Sequence, residues 1–295
     1  ADLWTGIVNS GAIANFQTIF NLITAIVLLP FAGLLVKLAC TIVKDDEVEE
    51  EILPEIAALD NKLMIAPTLA LGEVTKVAVD MAFAAKHNVE RALLQFEEYK
   101  EARSAKIRAT EERIDHFTDA ADNYLIELSG NIEQLSDKRQ HSMLMQVVRD
   151  IERIGDYATN FDEQAKTLYD SGIHFSEGAK EEMHILGNAV LEILRLTVEA
   201  LENDSDTTAK RIEPLEEIID DMVLTLKNRH TDRLCEGTCS IDTGLVFMDA
   251  LTTMERAADQ CSSIAMLLLG RHNEEILKNH HMYLHELHVN GDSSY

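Results

Sequence analysis

Two short acidic phrases occur twice in this 295-residue chain, in the same order and at nearly the same separation. EERID at 111–115 is echoed by EEIID at 216–220, and ERIGD at 152–156 by ERAAD at 255–259. The first pair is offset by 105 residues and the second by 103. Two independent motifs that keep their order and spacing define a duplicated module, because self-similarity at a fixed offset marks a repeated structural unit.

The module is helical. Thirteen Gly and four Pro in the whole chain, with frequent Ala, Leu, Glu and Ile, favour long helices over sheet. No stretch alternates apolar and polar residues between turn signals, as a half-buried strand would. The pattern predicts helices over 68–99, 103–129 and 137–170, then again over 177–203, 206–234 and 241–270. Gly130 is read as a helix stop, Ser136 and Ser176 as N-caps, and Gly172 and Gly237 as turns. The expectation is two antiparallel three-helix bundles side by side, repeat 1 over 67–171 and repeat 2 over 174–271. A polar tail follows over 272–295.

A different signal precedes them. Residues 3–36 contain no Asp, Glu, Lys, Arg or His, a run longer than the ~20 apolar residues that span a bilayer. No basic residue precedes the run, as a secretory signal would require. Residues 1–44 are therefore read as a transmembrane helix, with Lys37 and Lys44 weakly placing the following chain in the cytoplasm. Asn15, Gln17 and Asn21 inside it suggest packing against other helices, as in the last piece of a larger membrane bundle. Residues 45–66, with two acidic clusters and a proline, form a linker. The whole is an all-α chain, a membrane helix followed by the repeated bundles.

Charge narrows the partners. There are 52 acidic and 26 basic residues, a net charge of −26. That sign excludes a nucleic-acid backbone, which requires clustered Lys and Arg, and suits cations. The four cysteines, Cys40, Cys235, Cys239 and Cys261, have no zinc-site spacing and are read as reduced thiols.

On a helix, residues i and i+4 lie on one face, ~5–6 Å apart. Glu111 with Asp115, and Glu152 with Asp156, are thus two pairs that can face each other across neighbouring helices. Glu216, Asp220, Glu255 and Asp259 form the second copy. Four converging carboxylates repel one another unless protonated or bridged by cations, so a metal site is the economical reading. An acid-rich chain also makes such pairs by chance, and Glu152 could pair with Arg149 or Arg153, and Glu255 with Arg256. Register between the repeats, apolar residues such as Ile151, Ile154 and Met254 beside the acids, and small residues at Gly155 and Ala258 favour a site.

The phrase ERIGDYATN at 152–160, with its degenerate echo at 255–263, resembles the paired motifs of PhoU-type phosphate-regulation domains. ANFQTIFNLITAIVLLPF, followed by LDNKLMIAPTLALGEV, resembles the final membrane helix and linker of bacterial sodium/phosphate cotransporters that carry a PhoU-like domain. The resemblance implies two three-helix bundles and metal ligands at Glu111, Asp115, Glu152, Asp156, Glu216, Asp220, Glu255 and Asp259. It implies divalent or trivalent ions (Fe, Mn, Mg or Zn), an upstream transporter membrane bundle as partner, and sodium and phosphate handled by the full transporter. It also implies an inner-membrane location with the bundles cytoplasmic, and leaves a homo-oligomer open. The second copy departs from the pattern at Ala258 and Ser263. The Gln-Ser-Ser repeats associated with transport are lacking in this chain, so a regulatory role is expected and not transport by this part alone; no nucleophile–base arrangement presents itself, so no catalysis is expected. Two other readings stand beside it: a stand-alone PhoU-type regulator, and a di-metal carboxylate enzyme. The enzyme would need paired Glu-x-x-His motifs, and only Glu181 and His184 supply one.

Overall fold

Apolar residues three and four apart build the first long helix. Along residues 67–93, Leu71, Val74, Ala78, Met81, Ala85, Val89 and Ala92 are all buried, a stripe that must find a partner surface. In a computed structural model that describes residues 16–24 and 59–272, this stripe packs chiefly on the third long helix. The helices are α1 (Pro67–Leu93), α2 (Glu101–Leu128), α3 (Leu135–Ser171), α4 (Glu177–Glu202), α5 (Asp206–Ala209), α6 (Ile212–Cys235) and α7 (Ile241–His272). Two 3-10 turns, Asn61–Ile65 and Ser129–Asn131, complete the described elements of this region.

Helices α1, α2 and α3 touch one another, as do α4, α6 and α7. Short connections between long helices make their neighbours antiparallel. The two bundles join where α3 packs on α7 and α1 on α4. Phe117, Ile114, Phe161 and Ile151 fill the first core, and Ile193, Ile219, Phe247 and Leu251 the second; each has at most 1% of its surface exposed. Full burial of such a side chain contributes roughly 1.5–3 kcal/mol. The all-α expectation and the order of the two bundles therefore agree with the structure.

The helix ends show which local signals govern. Both α3 and α6 close on a glycine with positive φ, Gly172 at 63° and Gly237 at 69°. The amide of Ile173 reaches the Leu168 carbonyl at 3.1 Å, and that of Thr238 the Arg233 carbonyl at 3.0 Å, so the last carbonyls are satisfied. At the start of α4, Ser176 Oγ accepts from the Ala179 amide at 3.3 Å, the expected N-cap.

Other local expectations are corrected. The helix expected to reach residue 99 ends at Leu93, because Arg103 Nη1 donates to the carbonyls of Leu94 and Glu98, both at 2.8 Å, and holds a turn. Ser136 is not the cap of α3; that place falls to Gln134, without a side-chain bond, and Ser136 turns to Asp137. Gly130 lies within the 3-10 turn after α2. The single helix expected over 206–234 is broken into α5 and α6. Pro214 explains the break: it offers no N–H, and its ring would strike the carbonyl four residues back, at Lys210.

The chain divides into two units, residues 1–53 and 54–295. In the first, residues 16–24 are helical, with Phe16 and Phe20 stacked at 6.3 Å. Most of the expected membrane segment lies outside the described residues, as does the tail beyond 272. Among the described residues, no helix is long and apolar enough to cross a membrane.

Candidate metal centres

The acids of the repeated phrases lie on α2 and α3 in the first bundle and on α6 and α7 in the second. Close approach of α2 and α3 is set by Gly155: a Cβ there would stand 3.1 Å from Ile114 Cδ1. In the second bundle Ala258 takes the equivalent place and is fully buried. With the helices this close, carboxylates on one edge of each seam must converge.

They converge as two triads. One carboxylate oxygen each from Glu111, Asp115 and Asp156 lies within 4.8 Å of the others, and so do oxygens of Glu216, Asp220 and Asp259. Each triad takes an i,i+4 pair from the earlier helix and the aspartate of the later one, so equivalent positions are used in both repeats. Six of the eight expected residues are thus brought together. Glu152 and Glu255 stand beside the triads.

The two outlying acids differ. Glu255 is bound by Lys227, Nζ to Oε2 at 2.6 Å. Glu152 is raised above its ordinary pKa by burial, then by Asp156, Asp115, Asp122 and Asp119. Neither pairs as considered from the sequence: Arg149 binds Asp122 at 3.3 Å and Arg153 binds Asp150 at 3.5 Å. Asp119 and Asp122 were missed, although their spacing from Glu111 and Asp115 continues one helix face. Lys227 was missed as well, because no pattern in the chain links it to a residue on another helix.

Electrostatic strain marks both triads. In the first, burial raises Glu111, aided by Asp115 and Asp156, and burial with Asp115 raises Asp156. In the second, burial lifts Glu216 to about 8, with Glu213, Asp220 and Asp259 adding repulsion. Burial and then Asp259 lift Asp220 to about 6. Asp220 Oδ1 is buried without a hydrogen-bond partner. Beside this triad a cleft of about 540 Å³ is lined by Glu217, Asp221, Glu255 and Lys227 together with Glu216 and Asp220.

Such a donor set fits a hard cation. Three carboxylates at this spacing can share one ion or bridge two, and an unpartnered buried oxygen is a ready ligand. On α3, the hydroxyl of Tyr157 is raised by burial, with Arg256 and Arg153 opposing and Asp259 and Asp156 reinforcing that shift. It therefore feels charge from both triads. Of the remaining sequence candidates, His184 is exposed, lies 3.6 Å from Glu97 and belongs to neither triad. Cys235, Cys239 and Cys261 are free thiols.

The PhoU domain model matches residues 78–165 and again 183–268, more than half of the chain. The chain belongs to the PhoU domain family. It is 22% identical over 216 residues to the phosphate-specific transport system accessory protein PhoU homolog 1 of Thermotoga maritima, covering 72% of this chain and 90% of that one. It is also 22% identical over 270 residues to the putative inorganic phosphate export protein YjbB of Salmonella typhimurium, covering 90% of this chain. It spans about half of that protein's length, 49%. Two solved structures share the fold: the phosphate transport system regulatory protein PhoU of Streptococcus pneumoniae, with a TM-score of 0.64 and 21% identity, and PhoU of Pseudomonas aeruginosa, at 0.65 and 20%. They cover 70% and 69% of this chain, and each is itself covered to 97%.

Proposed function

We propose that the paired bundles are a metal-loaded regulator of a phosphate transporter, acting by contact and not by catalysis. The observation that carries the metal part is the pair of equivalent acidic triads, each held within 4.8 Å and each containing carboxyls pushed above their ordinary pKa by burial and mutual repulsion. Glu111, Asp115 and Asp156 would hold one centre, and Glu216, Asp220 and Asp259 the other. Glu152 is positioned to join the first. Glu255 can join the second only by exchanging Lys227 for the ion, so that centre is expected to bind less tightly. A bound Mg, Mn, Fe or Zn ion would neutralise the triad and fix α2 to α3, or α6 to α7. A regulator's surface would then be rigid when loaded.

The transport part rests on kinship. Relatives that match mainly the bundles carry the names of phosphate-transport accessory and regulatory proteins, and this reading needs nothing beyond the described helices. The test is metal content of the full chain by elemental analysis, compared with Asp115→Asn/Asp156→Asn and Asp220→Asn/Asp259→Asn variants. Each pair should remove its own share of the metal. Unchanged content in both would sink the metal reading. Loss of phosphate control on deleting residues 59–272 in the native cell would support the transport reading, and an unaltered phosphate response would overturn it.

One observation favours a second reading, in which the bundles are fused to a membrane carrier of the sodium/phosphate type and lie on its cytoplasmic face. The match to the Salmonella export protein takes in 90% of this chain, whereas residues 59–295 make up only about four-fifths of it. The similarity therefore reaches the uncharged stretch at 3–36. Phosphate flux in vesicles carrying the complete protein, with and without a sodium gradient, distinguishes the two readings.

A further inference from the structure

A second surface carries none of the eight repeated acids. A groove of about 730 Å³ lies between the end of α1 and the first half of α4. Its floor is apolar, with Phe175 and Met183 each 6% exposed and Met254 fully buried. Leu93, Phe96 and Leu191 line it further, and Leu94 at its edge is 41% exposed. Four acids surround this apolar strip, Glu90, Glu97, Glu177 and Glu181, against Lys180 and His184. Lys180 pairs with Glu177 at 2.7 Å, His184 with Glu97 at 3.6 Å and His87 with Glu90 at 3.2 Å, which leaves Glu181 beyond these pairs and the rim net acidic.

We propose that this groove docks an amphipathic helix of a partner protein, apolar on one face and flanked by Lys or Arg. The lining residues of α4 run from Glu177 to Leu191, about 21 Å at 1.5 Å per residue, enough for a helix of roughly 14 residues. An apolar strip between charged edges is the shape that reads i, i+3, i+4 and i+7 anchors. Met183 and Met254 supply flexible, polarisable side chains that mould to an inserted residue. The acid rim selects the sign of the partner and rejects a second copy of this chain, whose net charge is −26, because like charges across an interface oppose association. The proposal rests on the reading of this chain as a regulator only in that a regulator needs a partner, and it holds whether or not the triads bind metal.

The test uses the full chain and two labelled synthetic helices with the same Leu face, one with Lys and one with Glu on its flanks. Fluorescence anisotropy should show the Lys helix binding at least tenfold more tightly. Leu94→Asn, which removes apolar surface without changing charge, and separately Glu97→Lys/Glu181→Lys, should each weaken it at least tenfold, while Glu163→Lys on exposed α3 surface should change it less than twofold. All four substituted positions are exposed, and circular dichroism confirms folding. Equal loss in the Glu163→Lys control would mean attraction to net charge alone and would overturn the proposal. Dimers that Glu97→Lys/Glu181→Lys dissociates would overturn it too, by showing a second copy as the occupant.

Discussion

Glu216 holds its proton to about pH 8 and Asp220 to about pH 6, far above ordinary carboxyls. Burial is the larger cause in both, and the neighbouring carboxylates follow. The folded chain therefore binds protons that the unfolded chain releases near pH 4–4.5. Since stability falls with pH wherever the folded state is the more protonated, the metal-free protein should lose stability as pH rises from about 4.5 to about 8. The loss should level off above that. A hard divalent cation takes the place of those protons, so its affinity should rise over the same interval and its binding should release protons. Thermal unfolding in chelator and in excess Mg or Mn, at pH 5 through 8.5, checks both slopes; a chelated protein that grows more stable toward pH 8 contradicts this account. Glu216→Gln should flatten the chelated slope and remove most of the cation's effect. The acids themselves were legible in the sequence, because helical spacing and the repeat put all eight in register, six of which meet in the triads. The division into triads was not. It depends on where Lys227 lies in space, and on Asp119 and Asp122 extending the acidic face beyond the repeated phrase.

At the level of the helix, Gly155 and Ile114 decide how closely α2 and α3 approach. A methyl at Gly155 would come to 3.1 Å from Ile114 Cδ1, which needs a small shift of that side chain. Alanine also gains about 0.5–1 kcal/mol over glycine inside a helix. The two effects should nearly cancel in Gly155→Ala alone. In an Ile114→Val background the crowding methyl is gone, and the same substitution should stabilise by about 0.5–1 kcal/mol in urea unfolding. A further loss there would show that backbone, not the isoleucine tip, sets the approach. Helix existence was readable throughout from 3.6-residue spacing, and the ends at Ser176, Gly172 and Gly237 from cap chemistry. Other boundaries depart from these signals, for different reasons. Pro214 is a local signal that acts at a distance of four residues and breaks the helix at 210–211. The early end of α1 depends on Arg103 and on Gln95, whose side chain donates to buried Asp162 at 2.6 Å, and such tertiary contacts leave no periodic trace.

For the molecule as a whole, the seam between α3 and α7 joins the two bundles. Ser263 Oγ donates to Asp150 Oδ2 at 2.7 Å, and Gln164 Nε2 donates to Thr253 Oγ1 at 3.1 Å. Asp150 is 7% exposed, and burial raises it while Ser263 and Arg153 oppose the rise. Ser263→Ala leaves that oxygen without its seam partner and should cost about 1–3 kcal/mol. Chemical unfolding should remain a single transition in the wild type, and calorimetry of the variant should show whether the bundles begin to melt separately. By the 103-residue offset, Asp150 answers to Thr253 and Ser263 to Asn160. The seam thus has the form of a two-fold interface between like halves, written into one polypeptide. Covalent linkage releases such an interface from self-complementarity. Each side can change without changing the other, and here one half offers an aspartate and a glutamine where its mate offers a serine and a threonine. Two copies of the first half would set Asn160 opposite Asp150 and forfeit the Ser263 contact, so the halves of this chain are no longer interchangeable.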